Sequence, residues 1–167
     1  MTDIADSPRD TAAAPRPHRE KRKWGPILVG TDGSEAAGRA VDAAGALAAD
    51  LDVELWITYV IDRRSDSEAT QFSHVEDTSI GDATETVADS ALVEAVGRAE
   101  AVGVKKHHAV VRWGRCAEEL VAVAGEFGAN AIVVGRRGVG GRLSQALLGS
   151  VSQKLAGISP INLVIVP

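Results

Sequence analysis

The chain reads as an open parallel α/β sheet covered by helices on both faces, and three observations predict it. Short apolar runs of strand length alternate with longer stretches carrying apolar residues at helical spacing. The strand-length runs are nearly continuous Val, Ile and Leu, as in strands buried on both sides. Aromatic residues make up only 4% of the chain, so the core is built from Ala, Val, Leu and Ile, which suits helices lying close on a sheet.

Taken in order, residues 1–23 carry Pro8, Pro15 and Pro17, no apolar periodicity and a basic end, Arg19 to Lys23. They are expected to be a disordered tail, leaving 24–167 as one α/β domain. Pro26 to Thr31 is the first strand, ended by the turn signal Asp32-Gly33-Ser34. Ala37, Val41, Ala44 and Ala48 form the inner stripe of the first helix. Val53 to Val60 is the second strand.

An acidic stretch with no clear period follows, read as a loop over 62–81 that contains His74. Leu92, Val96 and Ala99 mark the next helix. Lys106 to Trp113 is the third strand, and Ala117, Leu120, Val121, Ala124 and Phe127 the stripe of the third helix. Residues 131–134 form the fourth strand and lead into the glycine loop that starts at Gly135. Leu148, Val151, Leu155 and Ile158 mark a fourth helix starting near Ser150. Pro160 stops it, and Ile161 to Val166 is the last strand.

In such sheets ligands bind beyond the carboxyl ends of the strands, where the strand order reverses. Two connections at that end suit an anion: Thr31 to Ser34 after the first strand, and Gly135 to Gly141 with Gly149-Ser150 after the fourth. Glycines admit a ligand close to the main chain, and a helix beginning at Ser150 aims N–H groups and a positive dipole end at a phosphate. If the first and fourth strands are neighbours, the two connections share one cleft.

Composition narrows the function further. The chain has 167 residues and a net charge of −5, which argues against nucleic acid as the main partner. Cys116 is the one cysteine, so it makes no internal disulfide and no multi-cysteine metal site. No apolar run approaches a membrane span and no secretory signal is visible, so no membrane partner and a cytoplasmic location are expected. No Gly-x-x-x-x-Gly-Lys-Ser/Thr loop occurs, and the first turn lacks Gly-x-Gly-x-x-Gly. His107 and His108 are neighbours on a strand and point to opposite faces, and no nucleophile–base arrangement assembles, so no catalytic residue is assigned.

The ordered set Val29-Gly30-Thr31-Asp32-Gly33-Ser34, Thr58 to Asp62, Gly135-x-x-Gly138, Gly149-Ser150-Val151-Ser152 and Ile161 to Pro167 resembles the universal stress protein family over about residues 24–167. The resemblance implies a Rossmann-like, adenine-nucleotide α-hydrolase-like sheet of strand order 3-2-1-4-5. It also implies a site for ATP, with cyclic AMP or AMP as other occupants. Asp32, with Gly30 and Thr31, would meet the ribose and phosphate region, Ser34 would stand beside them, and Val60 would contact the adenine. Val134, Gly135, Arg137 and Gly138 would line the ribose and phosphates, and Gly149, Ser150, Val151 and Ser152 would donate to the phosphates. Asp32 would meet a metal only as Mg²⁺ carried on the nucleotide.

In the ATP-binding branch nine residues separate the second glycine from Gly-Ser/Thr, whereas ten, Val139 to Leu148, stand here. Asp32, Ser34 and Ser150 also have a plainer use as helix caps.

The leading expectation is therefore an adenine-nucleotide-binding stress regulator acting through conformation or a regulatory protein partner. A dimeric interaction protein that binds no nucleotide is the alternative favoured by the ten-residue spacing, and a slow ATP hydrolase is the third. The final strand, apolar on both faces and at a sheet edge, predicts a homodimer through 161–166, as the resemblance also implies.

Overall fold

The structure, a computed structural model, describes residues 24–62, 78–138 and 148–167. The tail over 1–23, His74 with most of the acidic loop, and the interior of the glycine loop lie outside the described residues.

Five parallel strands, β1 (Ile27–Thr31), β2 (Leu55–Ile61), β3 (His107–Trp113), β4 (Ala131–Gly135) and β5 (Asn162–Val166), form one sheet in the order β3-β2-β1-β4-β5. Among the described residues, four helices connect them: α1 (Glu35–Leu51), α2 (Thr78–Ala101), α3 (Cys116–Glu126) and α4 (Ser150–Ile158). The order matches the expected 3-2-1-4-5.

Alternation along each strand feeds two cores. Ile27, Val29, Leu55, Ile57 and Val133 face α1 and α2, while Leu28, Ile132 and Val134 face α3 and α4. Each fully buried Ile, Leu or Val contributes roughly 1.5–3 kcal/mol. Helices approach the sheet closely because their inner stripes are small, with Ala37, Ala40, Ala44 and Ala48 of α1 all buried.

Two boundaries differ from the sequence reading by more than one residue. Val53 lies outside β2: its N–H bonds the Ala48 carbonyl at 3.0 Å, finishing the end of α1 where Asp52 takes a left-handed φ of 52°. The second helix begins at Thr78, inside the stretch read as loop to residue 81. Its opening turns lack an apolar stripe in the sequence, so periodicity could not reveal them.

Candidate functional site

The crevice is made by strands that part company. β1 and β4 pair only over Ile27–Val29 and Ala131–Val133. Beyond Val29 the two chains diverge, while β4 stays paired with β5 up to Gly135↔Val166 and β1 with β2 up to Thr31↔Tyr59. This is the point where strand order reverses, and the two anticipated connections leave from its two sides.

On the β1 side the turn is locked by its own side chains. Gly33 has φ +75°, a conformation that favours glycine, and its N–H reaches the Thr31 hydroxyl at 3.3 Å. Asp32 Oδ1 accepts from the Ser34 N–H at 3.0 Å, and Ser34 Oγ accepts from the Ala37 N–H at 3.2 Å as the N-cap of α1. The Ser34 hydroxyl therefore has a capping role. The second carboxylate oxygen of Asp32 faces Gly138 across the crevice, in the place a side chain there would need.

On the β4 side the exit of the strand and the start of α4 are tied together. The Gly149 N–H bonds the Arg136 carbonyl at 2.8 Å, and the Ser152 hydroxyl lies 2.9 Å from the same oxygen and 3.0 Å from the Gly149 carbonyl. Ser152 is only 2% exposed, so its hydroxyl is turned into the protein. A Cβ on Gly149 would stand 3.2 Å from the α-carbon of Arg137, and one on Gly135 only 2.8 Å from the Ala36 backbone. Close main-chain approach thus requires the glycine at 135 and leaves only tight room at 149. Residues 136–138 and 149–152 return to each other whatever the segment between them does.

Among the described residues, no side chain caps the helix start. Gly149 is the N-cap of α4 and makes no side-chain capping bond, and no acidic residue stands in the first turn. The first intrahelical bond runs from the Gln153 N–H to the Gly149 carbonyl at 2.9 Å, so the N–H groups of Ser150, Val151 and Ser152 have no helical acceptor. Ser150 is exposed and Val151 half-buried. Such a terminus favours an anion by dipole and by hydrogen bonding.

Gly30 and Val134 serve chiefly as the floor. A Cβ on Gly30 would meet Leu120 at 3.0 Å and Val134 at 3.4 Å, and Val134 is 4% exposed. Val60 is half-buried against the α3 side of the sheet. It lies one residue past the end of β1 pairing, while β2 and β3 remain paired to Ile61↔Trp113. Its main chain on the β1 side therefore borders the crevice.

Sequence reading did not gather Tyr59, Asp62 and Cys116 at this end of the sheet. Burial pushes the Cys116 thiol up to about 11, helped by the negative charges of Asp32, Asp62 and Glu118. Burial also raises the Tyr59 phenol, followed by the charges of Asp32 and Cys116. A first-turn position alone favours the thiolate, and burial, reinforced by these carboxylates, outweighs it. Only the structure brings those carboxylates together, since Asp32 follows β1, Asp62 follows β2 and Glu118 lies in α3. Among the described residues, no group of three or more His, Cys, Asp or Glu is placed to hold a metal ion, and no helix is long and apolar enough to cross a membrane.

Comparison with known proteins identifies the family. The model of the universal stress protein family matches residues 23–167. Universal stress protein YxiE of Bacillus subtilis (strain 168) is 33% identical over 145 residues, covering 84% of this chain and 97% of the relative. A universal stress protein crystallised in complex with cAMP is 30% identical with a TM-score of 0.62, covering 86% of this chain and 96% of that one. The hypothetical protein MJ0577, the subject of a structure-based assignment of biochemical function, is 26% identical with a TM-score of 0.70 over the same shares of the two chains. With its strand order, its two meeting loops and a family match running through nearly all of its described residues, this chain belongs to the universal stress protein family.

Proposed function

We propose that the chain binds an adenine nucleotide, ATP foremost, in the crevice between β1 and β4, and acts in the cytoplasm through conformation or a protein partner. The observation that carries this reading is the uncapped start of α4, held against the β4 exit and facing the Asp32–Gly138 junction. Phosphates would sit on the N–H groups of Ser150 and Val151, with Ser152 fixing the loop beneath them. The base would lie toward Val60, and Asp32 is the carboxylate best placed for Mg²⁺ carried on the nucleotide. The relative crystallised with cAMP supports an adenine ligand.

The extra residue between Gly138 and Gly149 weighs less than its count suggests. Both ends of that segment are anchored to each other through Arg136, so an added residue need not move the helix start.

Mass spectrometry of freshly purified, denatured protein, followed by calorimetry with ATP, AMP and cyclic AMP, tests the proposal. Co-purifying nucleotide or a saturable heat supports it. No bound nucleotide and no heat with any of the three would favour the non-binding interaction protein instead.

We further propose a homodimer through β5, whose outer edge has no strand partner among the described residues and whose Val164 is 39% exposed. Sedimentation showing only a monomer at micromolar concentration would remove it.

A further inference from the structure

The end of β5 is tied to both walls of the crevice. On the β4 side, the Arg136 N–H bonds the Val166 carbonyl at 2.7 Å. The carbonyl of the same Arg136 accepts from the Gly149 N–H at the start of α4 and from the Ser152 hydroxyl. On the β1 side, Arg39 Nε donates to the Pro167 main-chain oxygen at 2.8 Å. Arg39 belongs to the opening turns of α1, whose N-cap is Ser34 of the Asp32-Gly33-Ser34 turn. Val166 and Pro167 thus receive one hydrogen bond from each wall of the site.

The strand held in this way is the one with a free edge. In the β4–β5 ladder Val166 turns its carbonyl toward β4, so the alternate residues Leu163 and Ile165 turn their main-chain groups outward. That outer edge has no strand partner among the described residues. The placement of Val166 and Pro167 therefore sets the position of edge groups only one or two residues earlier in the chain. Arg39 also pairs with Glu35 at 2.7 Å, but the Glu35 side chain is 90% exposed, and such a pair contributes little. Its bond to Pro167 is the one that spans two elements, α1 and the end of β5.

We propose that Arg39 is a positioning residue that couples occupancy of the crevice to the pairing of β5 with a second copy of this chain, so that the nucleotide-bound form dimerises more tightly. This coupling rests on both readings above, the crevice as the nucleotide site and β5 as the dimer edge. A nucleotide spanning the crevice holds the start of α4 through the Ser150 and Val151 N–H groups, and the turn after β1 at Asp32. Each wall in turn holds the end of β5, one through Arg136 and the other through Arg39. Occupancy therefore fixes the edge that the second copy must meet, and a strand already ordered loses less freedom on association. By linkage, the dimer binds nucleotide more tightly than the monomer does. Arg39 acts through Pro167 and not on the nucleotide.

Sedimentation of the full chain over a range of concentrations, with and without saturating ATP, gives the dimer constant of each form. Calorimetry alongside gives the ATP affinity. The parent protein should dimerise at least about fivefold more tightly with ATP than without it. Arg39→Gln, at an exposed position, should keep its ATP affinity within about twofold of the parent. It should still dimerise, yet the ratio of its two dimer constants should fall to about one. Arg39→Lys, which can still donate to the Pro167 oxygen, should keep part of the ratio. ATP binding and a dimer, but equal dimer constants in the parent with and without ATP, overturn the coupling and leave the two earlier readings standing. An unchanged ratio in Arg39→Gln overturns the role of Arg39, because a merely structural contact would weaken both dimer constants alike. No heat with ATP, or a monomer under both conditions, overturns the earlier reading concerned and the coupling with it.

Discussion

The carboxylate of Asp32 occupies the space that a side chain on Gly138 would need, so the turn after β1 and the loop after β4 meet as a carboxylate against a bare α-carbon. One Oδ of that carboxylate is already committed to the Ser34 N–H at 3.0 Å, which limits how far it can swing aside. The two halves of the crevice are therefore fitted to each other before any ligand arrives.

Gly138→Ala should place a methyl group against that carboxylate. We expect a loss of under about 1 kcal/mol in unfolding free energy, since the clash is with the end of one side chain at an exposed position, and at least a tenfold loss of ATP affinity, about 1.4 kcal/mol. Adding Asp32→Ala to Gly138→Ala should recover part of the stability, because the clash is with that side chain alone. Denaturation of the two single variants and the double variant reads the coupling directly. Strictly additive stabilities would show that the contact does not form.

Ser152→Ala removes a buried hydroxyl that bonds main-chain carbonyl at the strand exit and the helix start. The Arg136 carbonyl keeps its bond from the Gly149 N–H, so the cost should stay near 1 kcal/mol. Nucleotide affinity should fall modestly, through looser placement of the α4 amides. Urea titration with calorimetry on the same variant checks both. A large affinity loss with unchanged stability would instead make Ser152 a direct ligand contact.

Much of this was legible beforehand, and particular residues show where legibility ended. The strand runs, the α1 stripe and the Thr31–Ser34 turn are local patterns whose periods and turn chemistry survive in the sequence. The start of α2 at Thr78 is not local in that sense, since its first turns carry no apolar stripe. The stack of Trp56 between His108, at 4.2 Å, and Phe127, at 3.5 Å, depends on the β2–β3 register and on where α3 ends. Those rings stand on three different elements, and no spacing in one element predicts them. At the site, the capping of Ser34 was readable from its position before a helix, whereas the inward turn of Ser152 required knowing that Arg136 lies beside it.

Thr58→Val should stabilise the protein. Thr58 is fully buried in β2 and its hydroxyl has no hydrogen-bond partner among the described residues. Valine keeps the β-branched shape and removes a buried polar group, a change expected to gain about 1 kcal/mol. Thermal and urea unfolding of the variant would measure it. A destabilised variant would mean that the hydroxyl has a partner, most simply an internal water.

Cys116 should be chemically quiet and should make stability fall at alkaline pH. Its folded value, about 11, lies above the ordinary 9.0 because burial and the carboxylates of Asp32, Asp62 and Glu118 disfavour the thiolate. At neutral pH the folded protein then holds roughly 100-fold less thiolate than the unfolded chain, and iodoacetamide should label it correspondingly slowly. The neutral thiol's contribution to stability is complete below pH 9 and is lost as pH rises through the folded value near 11, because the native state holds its proton longer than the unfolded state does. Tyr59, also raised by burial, adds a slope of the same sign, so the comparison must be between the parent protein and Cys116→Ser. The variant should show a shallower decline in unfolding free energy from pH 9 to 11. Labelling at pH 8 as fast in buffer as in urea would show instead that the thiol faces solvent at the mouth of the crevice.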